Sequence, residues 1–275
     1  MKNFLHQVIV ITGAAGGLGG ALAKTFYSQG GHLALIDVDL GGLERLKEGL
    51  ERADQRITIY QADVASEEQV ALTRKLIIEQ HSRVDMLINN AGISISQYFE
   101  QVTVTDFRKL FEVNFWGTIY CSRYFIADLN RQSGSHLVNI ISTFALLGFP
   151  GKTAYGSSKS AIMGFTNALK TELGGTHTKV SLVIPPPMDT GLVWSGPHMD
   201  KVKQQREAVF IKKKALPVDK VAERIVKGIR KGKYRIVIGS MMFWTDLASR
   251  LFPTLVHHEI TRHKGRYEFL PRHEK

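Results

Sequence analysis

Val8-Ile9-Val10-Ile11-Thr12-Gly13-Ala14-Ala15-Gly16-Gly17-Leu18-Gly19-Gly20 runs from an apolar, β-branched segment into a cluster of glycines. Residues 8–12 read as a short buried strand, and Leu22 and Phe26 with their neighbouring alanines continue in a helical pattern. The order is strand, glycine turn, helix. Glycine lets the backbone turn tightly and approach a pyrophosphate, while the free N–H groups and dipole at a helix start favour negative charge. A strand before the turn and a helix after it distinguish this arrangement from a merely flexible loop.

Farther along, His32 to Ile36 form a second strand that ends at Asp37, about twenty residues beyond the glycine turn. A carboxylate at that place can accept hydrogen bonds from adenosine ribose hydroxyls and repels a 2′-phosphate. Neither Gly16 nor Val38 supplies a positive charge to offset it. The expected cofactor is therefore NAD rather than NADP.

A second chemical signature is Thr153-Ala154-Tyr155-Gly156-Ser157-Ser158-Lys159. On a helix, residues four apart share one face. An ammonium held there favours phenolate and is expected to draw the Tyr155 pKa down from roughly 10. Tyr155 then becomes a proton donor and acceptor. The spacing alone is common on surface helices, but here it follows a nucleotide-binding start.

With these residues in view, the chain resembles the short-chain dehydrogenase/reductase family over roughly residues 5–240. Thr12-Gly13-x-x-x-Gly17-x-Gly19 matches the family's cofactor motif and brings Leu18 with it. Asp63-Val64 matches an adenine contact, and Asn89-Asn90-Ala91-Gly92 a strand-end motif. Asn114 matches the family's helix asparagine, and Ser142 stands thirteen residues before Tyr155, the usual family separation. The resemblance implies that Asn114, Ser142, Tyr155 and Lys159 are catalytic. It implies cofactor contacts from Gly13, Gly17, Leu18, Gly19, Asp37, Asp63, Val64, Asn89, Ala91, Gly92, Tyr155 and Lys159. The family's Pro-Gly after the sixth strand is replaced here by Pro185-Pro186-Pro187-Met188-Asp189-Thr190. Proline removes a donor and fixes φ, so the loop path beside the nicotinamide is expected to differ. Met188 and Thr190 are carried over as contacts at that end.

At 275 residues the chain suits one large α/β domain, a doubly wound and mostly parallel sheet of seven strands with helices on both faces. Residues 1–240 are expected to form this Rossmann domain and 241–275 a basic, apolar extension. The expected strands are 8–12, 32–37, 57–61, 86–89, 136–142, 180–184 and 234–238. The expected helices are 18–29, 43–51, 67–80, 105–129 and 155–173, with Ser66 and Gln69 forming a capping box for the third. Residues 189–215, rich in apolar side chains and interrupted by Gly191, Gly196 and Pro197, suit either a substrate lid or a packed helical connection.

Cys121 is the sole cysteine, which excludes an intrachain disulfide and favours a reducing, cytoplasmic setting; it is expected as a small buried residue. The ten histidines lack a metal spacing, and no metal is expected. No apolar run reaches the roughly 20 residues of a membrane span. The net charge of +11 is uneven: residues 1–200 carry −1 and residues 201–275 carry +12. If residues 241–256 are helical, Trp244, Leu247, Leu251 and Leu255 form one apolar stripe. Such a region suits peripheral contact with an anionic membrane, packing on the domain or a second subunit, or a bound anionic acyl carrier. A homo-dimer or homo-tetramer is expected. Nucleic acid is not an expected partner, because no aromatic-basic RNA signature or helix-turn-helix pattern accompanies the charge.

The expected reaction is reversible hydride transfer between NAD and a secondary alcohol or ketone. Phe144, Leu146, Leu147, Phe149, Trp194 and Phe210 suggest an apolar substrate of acyl, steroid-like or isoprenoid type. A non-catalytic dinucleotide-binding sensor or scaffold is the alternative class, against which the intact set of Asn114, Ser142, Tyr155 and Lys159 argues.

Overall fold

The computed structural model describes residues 4–50, 56–196 and 201–263. Seven strands form one sheet: β1 (Val8–Thr12), β2 (His32–Asp37), β3 (Ile57–Gln61), β4 (Met86–Asn89), β5 (His136–Ile140), β6 (Lys179–Ile184) and β7 (Arg235–Val237). Every neighbouring pair is parallel, and the order is β3-β2-β1-β4-β5-β6-β7. The chain winds outward from β1 to β3, then returns to β4 and winds the other way. This reversal makes a crevice between the carboxyl ends of β1 and β4, where ligands bind in open α/β sheets.

Helices cover both faces. They are α1 (Gly17–Ser28), α2 (Leu40–Leu50), α3 (Glu67–His81), α4 (Val104–Phe111), α5 (Gly117–Asn130), α6 (Thr153–Glu172), α7 (Lys201–Lys214), α8 (Val218–Arg230), α9 (Ser240–Leu251) and α10 (Pro253–Arg262). The apolar run of β1 is explained by its central position: all five residues are buried, Ile9 and Ile11 toward one helical layer and Val8 and Val10 toward the other. Each such side chain contributes roughly 1.5–3 kcal/mol when fully buried, so the central strand is a main source of the fold's stability.

Several expected elements end elsewhere. The helix expected over 105–129 is two helices, α4 and α5, joined by a π-helical turn at Glu112–Trp116. Strand β5 stops at Ile140, because Ser142 leads into a short 3₁₀ turn at Thr143–Ala145. Residue 51 of the expected second helix lies outside the described residues. At α3 the Ser66 hydroxyl accepts from the Gln69 N–H, but the Gln69 side chain reaches back to the Asp63 N–H, so the box is only half closed on Ser66 itself. The expected lid contains a 3₁₀ turn at Leu192–Trp194 and then α7; residues 197–200 lie outside the described residues.

The single apolar stripe expected after residue 240 is not formed. Pro253 cannot continue α9, and the chain bends at Phe252 before α10. Met242 and Asp246 are the buried residues of α9, while Trp244, Leu251 and Leu255 are exposed. Asp246 accepts from Arg235, whose Nε–H is shared between the two carboxylate oxygens at 3.0 Å and whose Nη2 also donates, and it lies 3.2 Å from Arg250, tying α9 to β7. Residues 264–275 of the expected extension lie outside the described residues. Among the described residues, no helix is long and apolar enough to cross a membrane.

At the amino end of β5, away from the cavity, His136 is buried, with Nε2 2.7 Å from the Ser181 Oγ. Ser181 donates its own proton to the Lys233 carbonyl, so it accepts from a neutral His136. Burial, helped by Lys179, lowers the His136 pKa from 6.5 to about 4. The unfolded chain therefore binds the extra proton first as pH falls, and the stability from neutral His136 is present above pH 6.5 and lost toward pH 4. Urea unfolding should show a loss on the order of 3 kcal/mol from this residue across that window. The corresponding slope should be absent in His136→Asn, and equal slopes in the two proteins would refute the assignment.

Candidate active site

The carboxyl ends of the central strands open onto a cavity of about 660 Å³. Its floor is the glycine turn. A side-chain carbon at Gly19 would fall 2.1 Å from the Gly13 carbonyl oxygen, and one at Gly17 would fall 2.9 Å from the Thr190 Cα. Only hydrogen fits at these two places. Asp37, at the end of β2, accepts from the Ala15 N–H at 2.9 Å and the Asp39 N–H at 3.1 Å, which anchors the turn to its neighbouring strand. Val38 beside it is exposed, and Arg45, the nearby cation on α2, lies 3.7 Å from Asp39 and does not line the cavity.

Thr12 and Asn90 hold β1 and β4 in register where they diverge. The Thr12 hydroxyl accepts from the Asn90 and Ala91 N–H groups at 3.0 Å each. The Asn90 amide returns hydrogen bonds to the Thr12 and Gly13 carbonyls. Asn89, the residue expected at the cofactor, is buried in the layer below: its amide nitrogen donates to Ser122 and Asn139. Strand alternation sends these adjacent asparagines in opposite directions, and Asn90 lines the cavity where Asn89 does not. Asp63, Val64, Leu18, Ala91, Gly92, Met188 and Thr190 all line it.

Ser142, just beyond β5, and Tyr155 and Lys159 of α6 converge on the same cavity. Lys159 Nζ lies 5.9 Å from the centre of the Tyr155 ring and donates to the Ile140 carbonyl at 3.2 Å. Asn114, in the middle of the π-helical turn, is completely buried and does not line the cavity. Its side chain accepts from the Ile93 N–H and donates to the Ile93 carbonyl and the Ser158 hydroxyl, while its own carbonyl accepts from Thr118. A carbon placed on Gly92 would meet both Asn114 Oδ1 at 3.1 Å and Lys159 Nζ at 3.3 Å, so Gly92 leaves the gap in which these two groups meet.

The electrostatics correct one expectation. The Tyr155 phenol is not lowered by the protein alone: burial pushes it up to about 12, a hydrogen bond from Ser142 lowers it, and the charge of Glu207 raises it. Lys159 is itself pulled down to about 8 by burial. Desolvation disfavours the charged form of both groups, and here it outweighs their proximity. Burial likewise pushes the Cys121 thiol up to about 12, as suits an inert core residue.

Apolar walls complete the site. Phe144, Leu192, Val193, Trp194, Phe210 and Ile211 line the cavity. Leu146, Leu147 and Phe149 do not; Leu146 packs on a core cluster and Phe149 sits edge-on against Phe144 at 5.1 Å. Two charged residues of the cavity wall, Lys152 and Glu207, escaped the sequence reading because nothing local pairs them.

A family model described as short chain dehydrogenase matches residues 7–201. A Mycobacterium tuberculosis protein named "Putative oxidoreductase SadH" is 31% identical over 255 residues, 91% of this chain and 92% of that one. The 3-ketodihydrosphingosine reductase of Mus musculus is 32% identical over 239 residues, 84% of this chain and 71% of that one. A solved short chain dehydrogenase/reductase from Burkholderia phymatum, in complex with NAD, matches with a TM-score of 0.84 at 27% identity, covering 95% of this chain and 96% of the other.

Replacing Gly19 by alanine should push the turn open against the Gly13 carbonyl, since backbone cannot swing aside as a flexible side chain can. Calorimetric titration with NAD⁺ is expected to show at least about tenfold weaker binding, or 1.4 kcal/mol, in a folded protein. Undiminished affinity would mean that this contact is not what shapes the phosphate cradle.

Proposed function

Because the chain belongs to the short chain dehydrogenase family, we propose that this oxidoreductase interconverts a secondary alcohol and a ketone on an apolar substrate, with NAD(H) as its cofactor. The observation that carries the reading is the meeting of Ser142, Tyr155 and Lys159 with the glycine turn in one cavity. A cradle that a single Cβ at Gly17 or Gly19 would fill fits a dinucleotide pyrophosphate. When bound there, NAD supplies the acceptor or donor of hydride.

The chain's own residues supply binding, orientation and a proton. The glycine turn and the start of α1 would hold the pyrophosphate, and Asp37, each of whose oxygens accepts one backbone N–H, would accept from the adenosine ribose hydroxyls with its remaining lone pairs. Ser142 orients the substrate oxygen. Tyr155 takes the hydroxyl proton in oxidation and returns it in reduction, and Lys159 binds the nicotinamide ribose and favours the phenolate. Asn114 serves the proton path by fixing the backbone at Ile93 and, through Ser158, the start of α6. Phe144, Trp194 and Phe210 exclude water and receive the apolar body of the substrate. Acyl, steroid-like and isoprenoid ketones all fit this description, and the similarity to a reductase whose named substrate carries a ketone agrees with it.

A panel of secondary alcohols and ketones assayed with NAD(H) and NADP(H) tests the activity. On any substrate turned over, Tyr155→Phe should lower kcat by at least about a hundredfold, the lower end of what a positioned acid or base contributes. NAD⁺ affinity should change little, because the ring remains. A phenylalanine variant with most of the wild-type rate would remove Tyr155 from the acid/base role.

Cofactor choice is a separate expectation. The double variant Asp37→Ser with Val38→Arg should shift kcat/KM toward NADP(H), by deleting a repulsion and adding a phosphate partner. Wild-type enzyme that works equally well with NADP(H) would overturn the NAD reading and leave the rest of the mechanism standing.

A further inference from the structure

Two of the buried charges on the cavity wall have no part in the reaction as derived so far. Lys152, immediately before α6, and Glu207, on α7, lie 2.6 Å apart, and each side chain is only 4% exposed. Lys152 also donates to Ser94 at 3.3 Å and to Ser96. Its ammonium is 5.8 Å from the centre of the Tyr155 ring, nearly the same distance as that of Lys159 at 5.9 Å. Tyr155 is thus flanked by two ammonium groups, and Lys152 alone of them faces a carboxylate. The second lysine touches the aromatic wall as well, lying 5.4 Å from the Phe144 ring centre, and Phe144 stands edge-on to Tyr155 at 6.0 Å.

Stability alone is a weak reason for this arrangement. A buried ion pair recovers little of its desolvation cost and is often replaced by apolar residues without loss. Its place beside the phenol is what distinguishes it. The segment that carries Glu207 is tied to the cavity rim near Lys152: the Ser94 N–H donates to the Ser195 Oγ at 3.2 Å, and Gln204 donates to the Val193 carbonyl at 3.0 Å. The carboxylate is brought to the tyrosine by the covering helix, whereas the lysine belongs to the same segment as the tyrosine itself.

We propose that Lys152 and Glu207 are a positioning pair for the reaction: Glu207, brought by α7, balances the Lys152 ammonium beside Tyr155, so that packing of this helix sets how readily the tyrosine gives up its proton. The inference rests on the reading of Tyr155 as the acid/base. Other charged groups are few around it. Of the elements packed against α6, the π-helical turn carries Glu112 and α4 carries Asp106, Arg108 and Lys109. Only Lys109 among these lines the cavity, where, among the described residues, Asp37, Asp39, Asp63 and Asp189 are the acidic residues besides Glu207. Lys179 of β6 is exposed, at the amino end of that strand and away from the cavity-lining carboxyl ends. Burial pulls Lys152 below the ordinary lysine range, and Glu207 works against that.

The signs separate this role from a structural one. Removing the carboxylate takes away a charge that raises the phenol and so favours phenolate; removing Lys152 takes away a cation beside the ring and disfavours it. Protein labelled with ¹³C at tyrosine Cζ, saturated with NAD⁺, reports the Tyr155 titration directly, its resonance assigned by its disappearance in Tyr155→Phe. Glu207→Gln should lower the midpoint by about 1 pH unit or more, and Lys152→Met should raise it by a similar amount. The double variant Lys152→Met/Glu207→Gln should return to within about half a unit of wild type. Unchanged midpoints, or shifts of one sign in both single variants, would overturn the proposal. Should Glu207→Gln fail to fold, Lys152→Met decides alone: a raised midpoint supports the pair, and an unchanged or lowered one refutes it. Turnover by Tyr155→Phe reports on the acid/base role itself, so failure of that role is distinguished from failure of the pair.

Discussion

The site depends on a gap between two strands being held at fixed width. β1 and β4 are neighbours in the sheet, yet the chain leaves them in opposite directions, and nothing in the ladder itself restrains the residues beyond Thr12 and Asn89. The Thr12 hydroxyl and the Asn90 amide provide the restraint by bonding across the gap to backbone groups on the opposite side. These are buried or half-buried polar contacts, whose loss would leave donors and acceptors unpaired where water cannot replace them. The glycine turn, Ala91 and Gly92 take their positions from that clamp, and Gly92 in turn opens the space shared by Asn114 and Lys159.

A second constraint comes from the π-helical turn at Glu112–Trp116. The extra residue in the turn lies between α4 and α5 and places Asn114 where its side chain satisfies both backbone groups of Ile93 and reaches Ser158. π-Helical turns of this kind recur at functional sites because they redirect one side chain without ending the helix. Here the redirected amide joins the loop after β4 to the start of α6, and thereby the floor of the cavity to the tyrosine and lysine of its wall.

Burial sets the chemical character of that wall. Tyr155, Lys159, Lys152 and Glu207 are all nearly inaccessible, and in that environment each charge is felt strongly by its neighbours and weakly by solvent. The shift of the tyrosine to about 12 and of Lys159 to about 8 both follow from lost hydration rather than from their mutual attraction. A proton on Tyr155 is therefore governed by every charge enclosed with it, including one carried by a helix remote in sequence.

The seven strands, the glycine turn and the Tyr155–Lys159 pair were legible in the sequence, because each is written in local periodicity: apolar runs for buried strands, glycine between strand and helix, and four-residue spacing on a helix. The break of the expected helix at Glu112, the bend at Phe252 and the choice of Asn90 over Asn89 as the cavity-lining residue were not, since each depends on which neighbour a side chain meets after folding. The net rise of the tyrosine in the protein alone is illegible for the same reason. Spacing reveals that a lysine is near, but not how much water both groups have lost. Only the tertiary structure joined Lys152 to Glu207 and enclosed them beside Tyr155, because contact across the chain and the dielectric around a charge are products of packing and have no local code.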